Sequence, residues 1–163
     1  MKKTLVLCLV MVLTCIGAVA KSSKNLLPMP QQITVSGGSF TIGKIVLETS
    51  VLQPEWQKFI ADAGGEIVSK SSRKIEVKLV SEVKGAKLNQ EEAYRLVVSS
   101  KGILVEATTK KGVYWALQTL RQLEEKKGRF EACEIVDWPA FKIRGFMHDI
   151  GRSYLSMDEL KKE

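Results

Sequence analysis

The final stretch of the chain, FKIRGFMHDIGRSYLSMDELKKE, concentrates the side chains that are best suited to chemistry. Arg144 begins this group, and His148, Asp149 and Arg152 follow within a few residues. A guanidinium group offers five donors in a rigid fork and keeps its charge, so Arg144 suits the binding of several ligand oxygens at once. The alternative is a structural ion pair with Asp137 or Asp149, and the residues taken alone favour that alternative.

The other members of the group also have structural interpretations. Asp149 and Arg152 straddle a predicted strand-to-helix loop, where an ion pair that shapes the loop is favoured over a role near a pocket. His148 is the only histidine of the chain, with no cysteine nearby, so it does not indicate a metal site. A packed or hydrogen-bonded histidine is favoured over a general base.

Residues 1–20 predict a secretory signal peptide, which lies outside the fold. Two lysines precede an uncharged apolar stretch, and Ala-Val-Ala forms a small-residue cleavage site at its end. The stretch is too short for a spanning helix of about 20 apolar residues. We therefore expect an exported protein, periplasmic or extracellular, with a lipoprotein anchored to the membrane through Cys15 as the alternative.

Removal of the signal peptide changes the cysteine and charge counts. Cys8 and Cys15 leave, so Cys133 remains, no intramolecular disulfide can form, and a small buried hydrophobic role is expected for Cys133. The net charge falls from +7 to +5, with 23 basic against 18 acidic residues. The basic residues are scattered, without aromatic interleaving or a nucleic-acid motif, which predicts a solvated surface and no nucleic-acid partner.

Residues 21–137 show the pattern of a non-catalytic α+β domain, a small sheet with helices packed on it. The predicted strands lie at 39–48, at 74–82, in a hairpin over 93–109 and at 129–139, and the predicted helices lie at 53–65 and 110–128. Gly37-Gly38 is expected to turn the chain, and Gly128 to cap the second helix. We assign Trp115 to the core together with the apolar stripe of that helix.

Residues 138–163 begin a second unit after a break at Asp137-Trp138-Pro139. The run from Phe141 is strand-like, and Ser156 with Glu159 three residues later predicts a capping box at a helix start. A lone strand cannot satisfy its backbone groups, so a strand followed directly by a helix is half of a βα unit. We therefore expect the chain to stop early in a domain built of βα units.

Nine residues of the C-terminal segment form a pattern by their types and order: Asp137, Pro139, Phe141, Arg144, Gly145, Asp149, Arg152, Tyr154 and Leu160. This segment resembles the start of the catalytic barrel in family 20 glycoside hydrolases, the β-N-acetylhexosaminidases. Upstream, LLPMPQQITVSGGSFTI and EAYRLVVSSKGILVEATTKKGVYWALQTLRQL resemble the non-catalytic α+β domain of that family. The resemblance implies that residues 138–163 hold the first strand and helix start of a truncated (β/α)8 barrel.

The resemblance also implies a function. The intact parent would be a glycosidase that removes terminal β-linked N-acetylhexosamines from glycans by substrate-assisted retaining catalysis, without metal or organic cofactor. The catalytic Asp-Glu pair would lie beyond Glu163, so this chain would hold no catalytic residue and is expected to be inactive. Arg144 is the one implied substrate-binding residue, which would contact hydroxyls of the terminal sugar.

Two alternatives stay open at this point. The α+β domain could be a non-catalytic module that binds a glycan or another partner. The chain could also be the N-terminal part of another glycosidase, of the α-glucuronidase or O-GlcNAcase type. The Arg-Gly, Asp and Arg-aromatic order of the C-terminal segment favours the hexosaminidase.

Overall fold

The computed structural model describes residues 26–145, 147, 151 and 156–161. Its elements are β1 (Gln32–Thr41), β2 (Lys44–Glu48), α1 (Gln53–Asp62), β3 (Glu66–Ile67), β4 (Lys74–Leu79), a 3₁₀ turn (Gln90–Glu92), β5 (Tyr94–Ser99), β6 (Gly102–Ala107), α2 (Lys110–Leu123), β7 (Glu124–Lys126), β8 (Arg129–Asp137) and α3 (Met157–Leu160). The predicted signal peptide and the residues His148, Asp149 and Arg152 lie outside the described residues.

The strands form one mixed sheet in the order β1-β8-β5-β6-β4-β2-β3, and β7 also pairs with β8. Antiparallel pairing joins β1, β8, β5 and β6, and the predicted hairpin is the β5–β6 pair. Parallel pairing joins β6, β4, β2 and β3. The predicted α+β class is therefore confirmed.

One face of the sheet carries the apolar core. Ile75 pairs with Ile103, and Leu96 pairs with Ile135, and all four side chains are buried. Side chains alternate between the two faces of a strand, so paired apolar positions form continuous rows beneath the helices. Cys133 is buried in the same core, as expected.

Both long helices bury the apolar stripes that the sequence predicts. In α1 the stripe contains Trp56, Phe59 and Ile60, and the Phe59 ring centroid lies 5.8 Å from that of Phe130 in β8. In α2 the buried apolar residues are Val113, Ala116, Leu117, Leu120 and Leu123. Their side chains belong to one cluster with those of α1, so the two helices cover the same face of the sheet.

The opposite face of the sheet carries several charged pairs beside a small apolar cluster around Val136. Arg95 contacts Glu106 and Glu134 on the two neighbouring strands, with 2.7 Å between nitrogen and oxygen in each pair. Lys74 and Lys78 both pair with Glu76 on β4. In the part of the chain that the structure describes, both long helices lie on the side of the sheet away from these charged pairs. Within the described part of the chain, no helix is long and apolar enough to cross a membrane.

Two glycine predictions were wrong. Gly37 and Gly38 do not turn the chain; they lie inside β1 with φ of 74° and 87°, where the pairing with β8 shifts between Val35 and Ser39. Gly128 does not cap α2, because the helix ends at Leu123 and a short strand follows. Glycine tolerates positive φ in a bulge, in a hairpin turn and after a helix alike, so the local signal does not separate these uses.

The strand predicted from Phe141 does not form over residues 141–145. A strand needs a neighbouring strand to pair with, and β8, the last strand along the described chain, already lies between β1 and β5. The capping box is confirmed: the Ser156 hydroxyl accepts from the Glu159 backbone N–H, and the Glu159 carboxylate accepts from the Ser156 N–H. The barrel itself stays a prediction.

Candidate functional site

A cleft of about 470 Å³ opens between α2, the segment before β1 and the chain after β8. This volume is within the range of about 300–1,000 Å³ that is typical of ligand sites. The lining consists of Leu26, Leu27, Pro28, Met29, Gln31, Glu92, Tyr94, Trp115, Gln118, Thr119, Gln122, Asp137, Trp138, Pro139, Ala140, Phe141 and Arg144. Most of the wall is apolar or aromatic, and a few polar groups converge on it.

A buried tyrosine forms part of the cleft wall. The Tyr94 hydroxyl lies 2.6 Å from the Thr119 hydroxyl oxygen and donates to Asp137 Oδ2 at 3.3 Å. Burial is the main reason that the pKa of Tyr94 is raised well above its usual value. The phenol therefore stays neutral and connects the ends of β5 and β8 to α2.

The segment before β1 is fixed to the cleft by side chains from distant parts of the chain. The Leu27 N–H donates to Gln122 Oε1, and its carbonyl accepts from Gln122 Nε2, both at 2.9 Å. The Gln31 N–H donates to Asp137 Oδ1 at 3.0 Å. These bonds supply the backbone partners that a segment outside the sheet otherwise lacks.

Arg144 lies at the mouth of the cleft, with a side chain that is 43% exposed. Its Nη2 donates to Glu92 Oε2 at 2.5 Å, and its Nη1 donates to the Phe141 carbonyl at 2.6 Å. Glu92 Oε2 also accepts from Trp115 Nε1 at 3.1 Å. The hydrogen bond from Arg144 is the main cause that lowers the pKa of Glu92, so this carboxylate is held in its charged form.

The chemistry of the cleft favours binding over acid–base catalysis. A general acid needs a carboxyl group whose pKa is raised, whereas Arg144 lowers that of Glu92. The rings of Trp115 and Phe141 are partly exposed, and they can pack against an apolar or ring-shaped surface. Among the residues that the structure covers, no group of three or more His, Cys, Asp or Glu side chains could hold a metal ion.

The structure gives Arg144 a different ionic partner from the two considered in the sequence. It pairs with Glu92, which lies 52 positions away in the chain, instead of Asp137; Asp149 is outside the described residues. No local signal marks Glu92, because the pair depends on how the 3₁₀ turn before β5 and the chain after β8 meet. The substrate-binding role of Arg144 stays a prediction.

The assignment of Trp115 to the core was wrong. Trp115 is 41% exposed and lies beside the cleft, while its neighbour Ala116 is fully buried. Each residue of a helix is rotated by about 100° from the one before, so an aromatic residue next to the buried stripe can lie on the flank. The available signal was its position outside the i, i+3, i+4 pattern of Val113, Leu117 and Leu120.

The fold and the cleft define a helix-covered α+β domain with a candidate binding cleft where the chain leaves the sheet. Comparison with known proteins identifies the class. Residues 23–138 match the family described as glycosyl hydrolase family 20, domain 2. This chain belongs to glycosyl hydrolase family 20, which confirms the family predicted from the sequence.

The relatives are much longer than this chain. The beta-hexosaminidase of Porphyromonas gingivalis is 28% identical over 160 residues, which cover 85% of this chain and 20% of that protein. The solved β-N-acetylhexosaminidase of Bacteroides fragilis has a TM-score of 0.61 and 28% identity, covering 84% of this chain and 29% of that one. The exo-β-N-acetylglucosaminidase of Vibrio harveyi, solved with N-acetylglucosamine, has a TM-score of 0.61 and 26% identity, covering 90% and 24%.

Proposed function

We propose that the chain is the N-terminal portion of an exported β-N-acetylhexosaminidase, a glycoside hydrolase that releases terminal β-linked N-acetylhexosamines from glycans. The observation that carries the proposal is the match of residues 23–138 to domain 2 of family 20. The relatives named as hexosaminidases support it, because the similarity extends over most of this chain. The chain spans less than a third of those proteins, so the activity belongs to the complete protein.

The proposed protein has two folded parts after a signal peptide. Residues 21–137 form the α+β domain, and residues 138–163 begin a catalytic (β/α)8 barrel. The exit of the chain from the sheet after Asp137 supports this boundary. The capped helix start at Ser156 supports a βα unit, because a capping box fixes where a helix begins.

The proposed mechanism is substrate-assisted and retaining. The acetamido oxygen of the substrate attacks the anomeric carbon and forms an oxazolinium ion, while a glutamic acid protonates the leaving glycosidic oxygen. A neighbouring aspartate orients the acetamide and stabilises its developing charge. Water then attacks the anomeric carbon and opens the oxazolinium ring, so the anomeric configuration is retained. In this proposal both carboxyl groups lie beyond Glu163, and the 163-residue chain alone is inactive.

Arg144 supplies remote binding energy in the proposed enzyme. Its guanidinium has five donors, and two of them contact Glu92 and the Phe141 carbonyl. Three donors remain for hydroxyls of the terminal sugar. Contacts far from the scissile bond hold the substrate in the geometry for attack.

A chromogenic N-acetylglucosaminide assay on the complete gene product tests the proposal. We expect turnover by the complete protein, and a loss of about tenfold or more in kcat/KM for Arg144→Ala, because a charged hydrogen bond contributes ~1.5–3 kcal/mol. Arg129→Ala is the matched control, since Arg129 also has an exposed ion pair, with Glu125. An inactive complete protein contradicts the function, and an unchanged kcat/KM in Arg144→Ala contradicts the sugar-binding role.

Export is tested separately by cell fractionation and by the mass of the mature protein. Cleavage after Ala20 gives a protein that begins at Lys21 in the periplasm or medium. A mature protein that begins at Cys15 and carries lipid supports the anchored alternative. Retention of residues 1–20 in the cytoplasmic fraction contradicts export.

A further inference from the structure

The end of the sheet opposite the cleft gathers basic side chains that lie far apart in the sequence. The cleft borders the start of β5 and the end of β8. The other end is formed by residues 41–44, 63–74, 99–102 and 124–129, which together are called the basic end. It holds eight basic and three acidic residues, a net charge of +5. Residues 21–163 carry the same net charge, so the excess positive charge of that range is concentrated here.

The sheet curls at the basic end and thereby brings these segments together. β1 and β2 are five places apart in the strand order, which in a flat sheet is about 24 Å at about 4.8 Å per strand. Only Ile42 and Gly43 join them, and that link spans about 11 Å at most. The Ile42 N–H donates to the Gly128 carbonyl at 2.7 Å, and the Glu66 N–H donates to the Gly43 carbonyl at 3.0 Å. The turns of the basic end are therefore neighbours in space.

Most cations of the basic end have no carboxylate beside them. Lys44 and Glu66 are 4.0 Å apart, Arg129 and Glu125 are 3.8 Å apart, and Lys74 pairs with acidic residues of its own and the adjacent strand. The other five cations form no ion pair with any residue that the structure describes: Lys70, Arg73, Lys101, Lys126 and Lys127. Unpaired like charges on one surface create a positive potential that attracts anions.

Arg73 and Lys127 show how these cations are presented. Arg73 Nη1 donates to the Thr41 carbonyl at 3.1 Å, and a Cβ added at Gly43 would lie 3.6 Å from the same nitrogen. This bond fixes the guanidinium and leaves its other donors available, and a guanidinium can bind a carboxylate through two parallel hydrogen bonds. A Cβ added at Gly64 would lie 3.4 Å from Lys127 Cε, so this lysine also lies over a glycine.

We propose that the basic end binds an anionic polysaccharide, a chain with repeating carboxylate or sulfate groups. A polymer with regularly spaced anions neutralises several of the unpaired cations at once, and each added contact forms at a high effective concentration. The site lies at the opposite end of the domain from the cleft, so both can be occupied together. The choice of a glycan among polyanions rests on the proposed function, which places the protein among glycans outside the cytoplasm.

The side chains of the basic end also favour a polysaccharide over other polyanions. Binding of single-stranded nucleic acid uses aromatic side chains as stacking platforms, and the four segments contain no aromatic residue. Anchoring at a membrane surface uses apolar side chains that enter the lipid, and the one exposed large apolar residue in these segments is Ile67. Hydrogen-bonding cations and serines remain, which suits a hydrophilic anionic chain.

Fluorescence anisotropy of labelled chondroitin sulfate, titrated with the complete gene product, tests the site. Chondroitin sulfate carries both carboxylate and sulfate groups, and labelled dextran is the neutral control. We expect saturable binding of chondroitin sulfate and none of dextran. The Kd should rise as the NaCl concentration increases from about 50 to about 300 mM, because salt screens exposed charges.

Two triple variants with the same change in net charge locate the site. The variant Lys70→Ala/Lys101→Ala/Lys127→Ala should raise the Kd by about tenfold, because three exposed cations each contribute modestly. The control Lys84→Ala/Lys87→Ala/Lys110→Ala removes three exposed lysines outside the basic end and should leave the Kd nearly unchanged. Arginine at positions 70, 101 and 127 keeps the charge and should keep the affinity. Equal unfolding temperatures show that all variants are folded.

The outcomes separate this inference from the proposed function. Equal Kd values for the two alanine variants overturn the site, and tighter binding of DNA or of phosphatidylglycerol vesicles than of chondroitin sulfate at equal salt overturns the glycan. A protein that hydrolyses N-acetylglucosaminides but does not bind chondroitin sulfate overturns this inference alone. Binding that depends on the three lysines, in a protein without hydrolase activity, supports the site and contradicts the proposed function.

Discussion

The inner and outer sides of α2 differ in how far the sequence alone predicts their contacts. The inner side buries a regular apolar stripe on the sheet, whereas the outer flank presents Trp115 to the cleft. The inner stripe recurs with the period of a helix, so sequence alone predicts it. The outer flank depends on Glu92 and Arg144, which come from other parts of the chain. The stabilising contacts of this helix are thus concentrated in its periodic part, and the cleft lies against its aperiodic part.

The largest effect is expected inside the core. Leu120→Ala removes a fully buried side chain of the inner stripe and should lower the free energy of unfolding by about 2–5 kcal/mol, because it leaves a cavity. Urea denaturation followed by circular dichroism measures the change. Arg121→Ala, on the exposed side of the same helix, is the control and should stay within about 0.5 kcal/mol. A loss in Leu120→Ala no larger than in this control would remove the distinction between the two sides.

The next effect concerns the close approach of α2 to the hairpin. A Cβ added at Gly112 would lie 2.3 Å from the Ala93 carbonyl oxygen and 2.9 Å from the Ala107 Cβ. Gly112→Ala should therefore destabilise the domain by about 1–3 kcal/mol through overpacking, although alanine favours helices. At Gly43 an added Cβ meets only an ordinary contact, 3.6 Å from Arg73 Nη1. Equal unfolding free energies for the Gly112→Ala and Gly43→Ala variants would contradict the packing.

A smaller effect is expected at the boundary between core and cleft. Tyr94→Phe keeps the buried ring but removes the hydroxyl that contacts Thr119 and Asp137. The loss should be about 0.5–1.5 kcal/mol, as for a typical hydrogen bond. Thermal unfolding measures it, with Tyr114→Phe, which changes an exposed tyrosine of α2, as the control. If both variants unfold like the wild type, the hydroxyl has no structural role.

The smallest effect is expected at the mouth of the cleft, where Glu92→Gln breaks the pair with Arg144. We expect about 0.2–1 kcal/mol, because the partner is substantially exposed. The pKa of Glu92 is lowered in the folded state, so its contribution is present above the ordinary carboxyl pKa and is lost as the pH falls through the folded value.

Urea titrations of the wild type and Glu92→Gln at a series of pH values check this dependence. The difference between them should shrink as the pH falls from neutral to acid. Glu91→Gln is the neighbouring control, because Glu91 reaches Lys142 only at 4.0 Å. A difference that is constant with pH would show that the charge of Glu92 does not matter.

The predictable part of this fold is the part with local periodicity. The hairpin, both long helices and the strand before Asp137 follow from apolar alternation and helical spacing. The two glycine errors have a common cause: a flexible residue marks unusual backbone without saying which kind. The exposed position of Trp115 and the Glu92–Arg144 pair require the tertiary arrangement, because their partners are 23 and 52 positions apart in the chain.

The two glycines inside β1 also affect how the domain meets other molecules. β1 lies at one end of the sheet, and its pairing with β8 shifts between Val35 and Ser39. A straight outer strand is a template for strand-by-strand polymerisation, whereas a kinked one offers only two short lengths with mismatched register. The irregularity at Gly37-Gly38 therefore interrupts the straight edge that β1 would otherwise offer to a strand of another molecule.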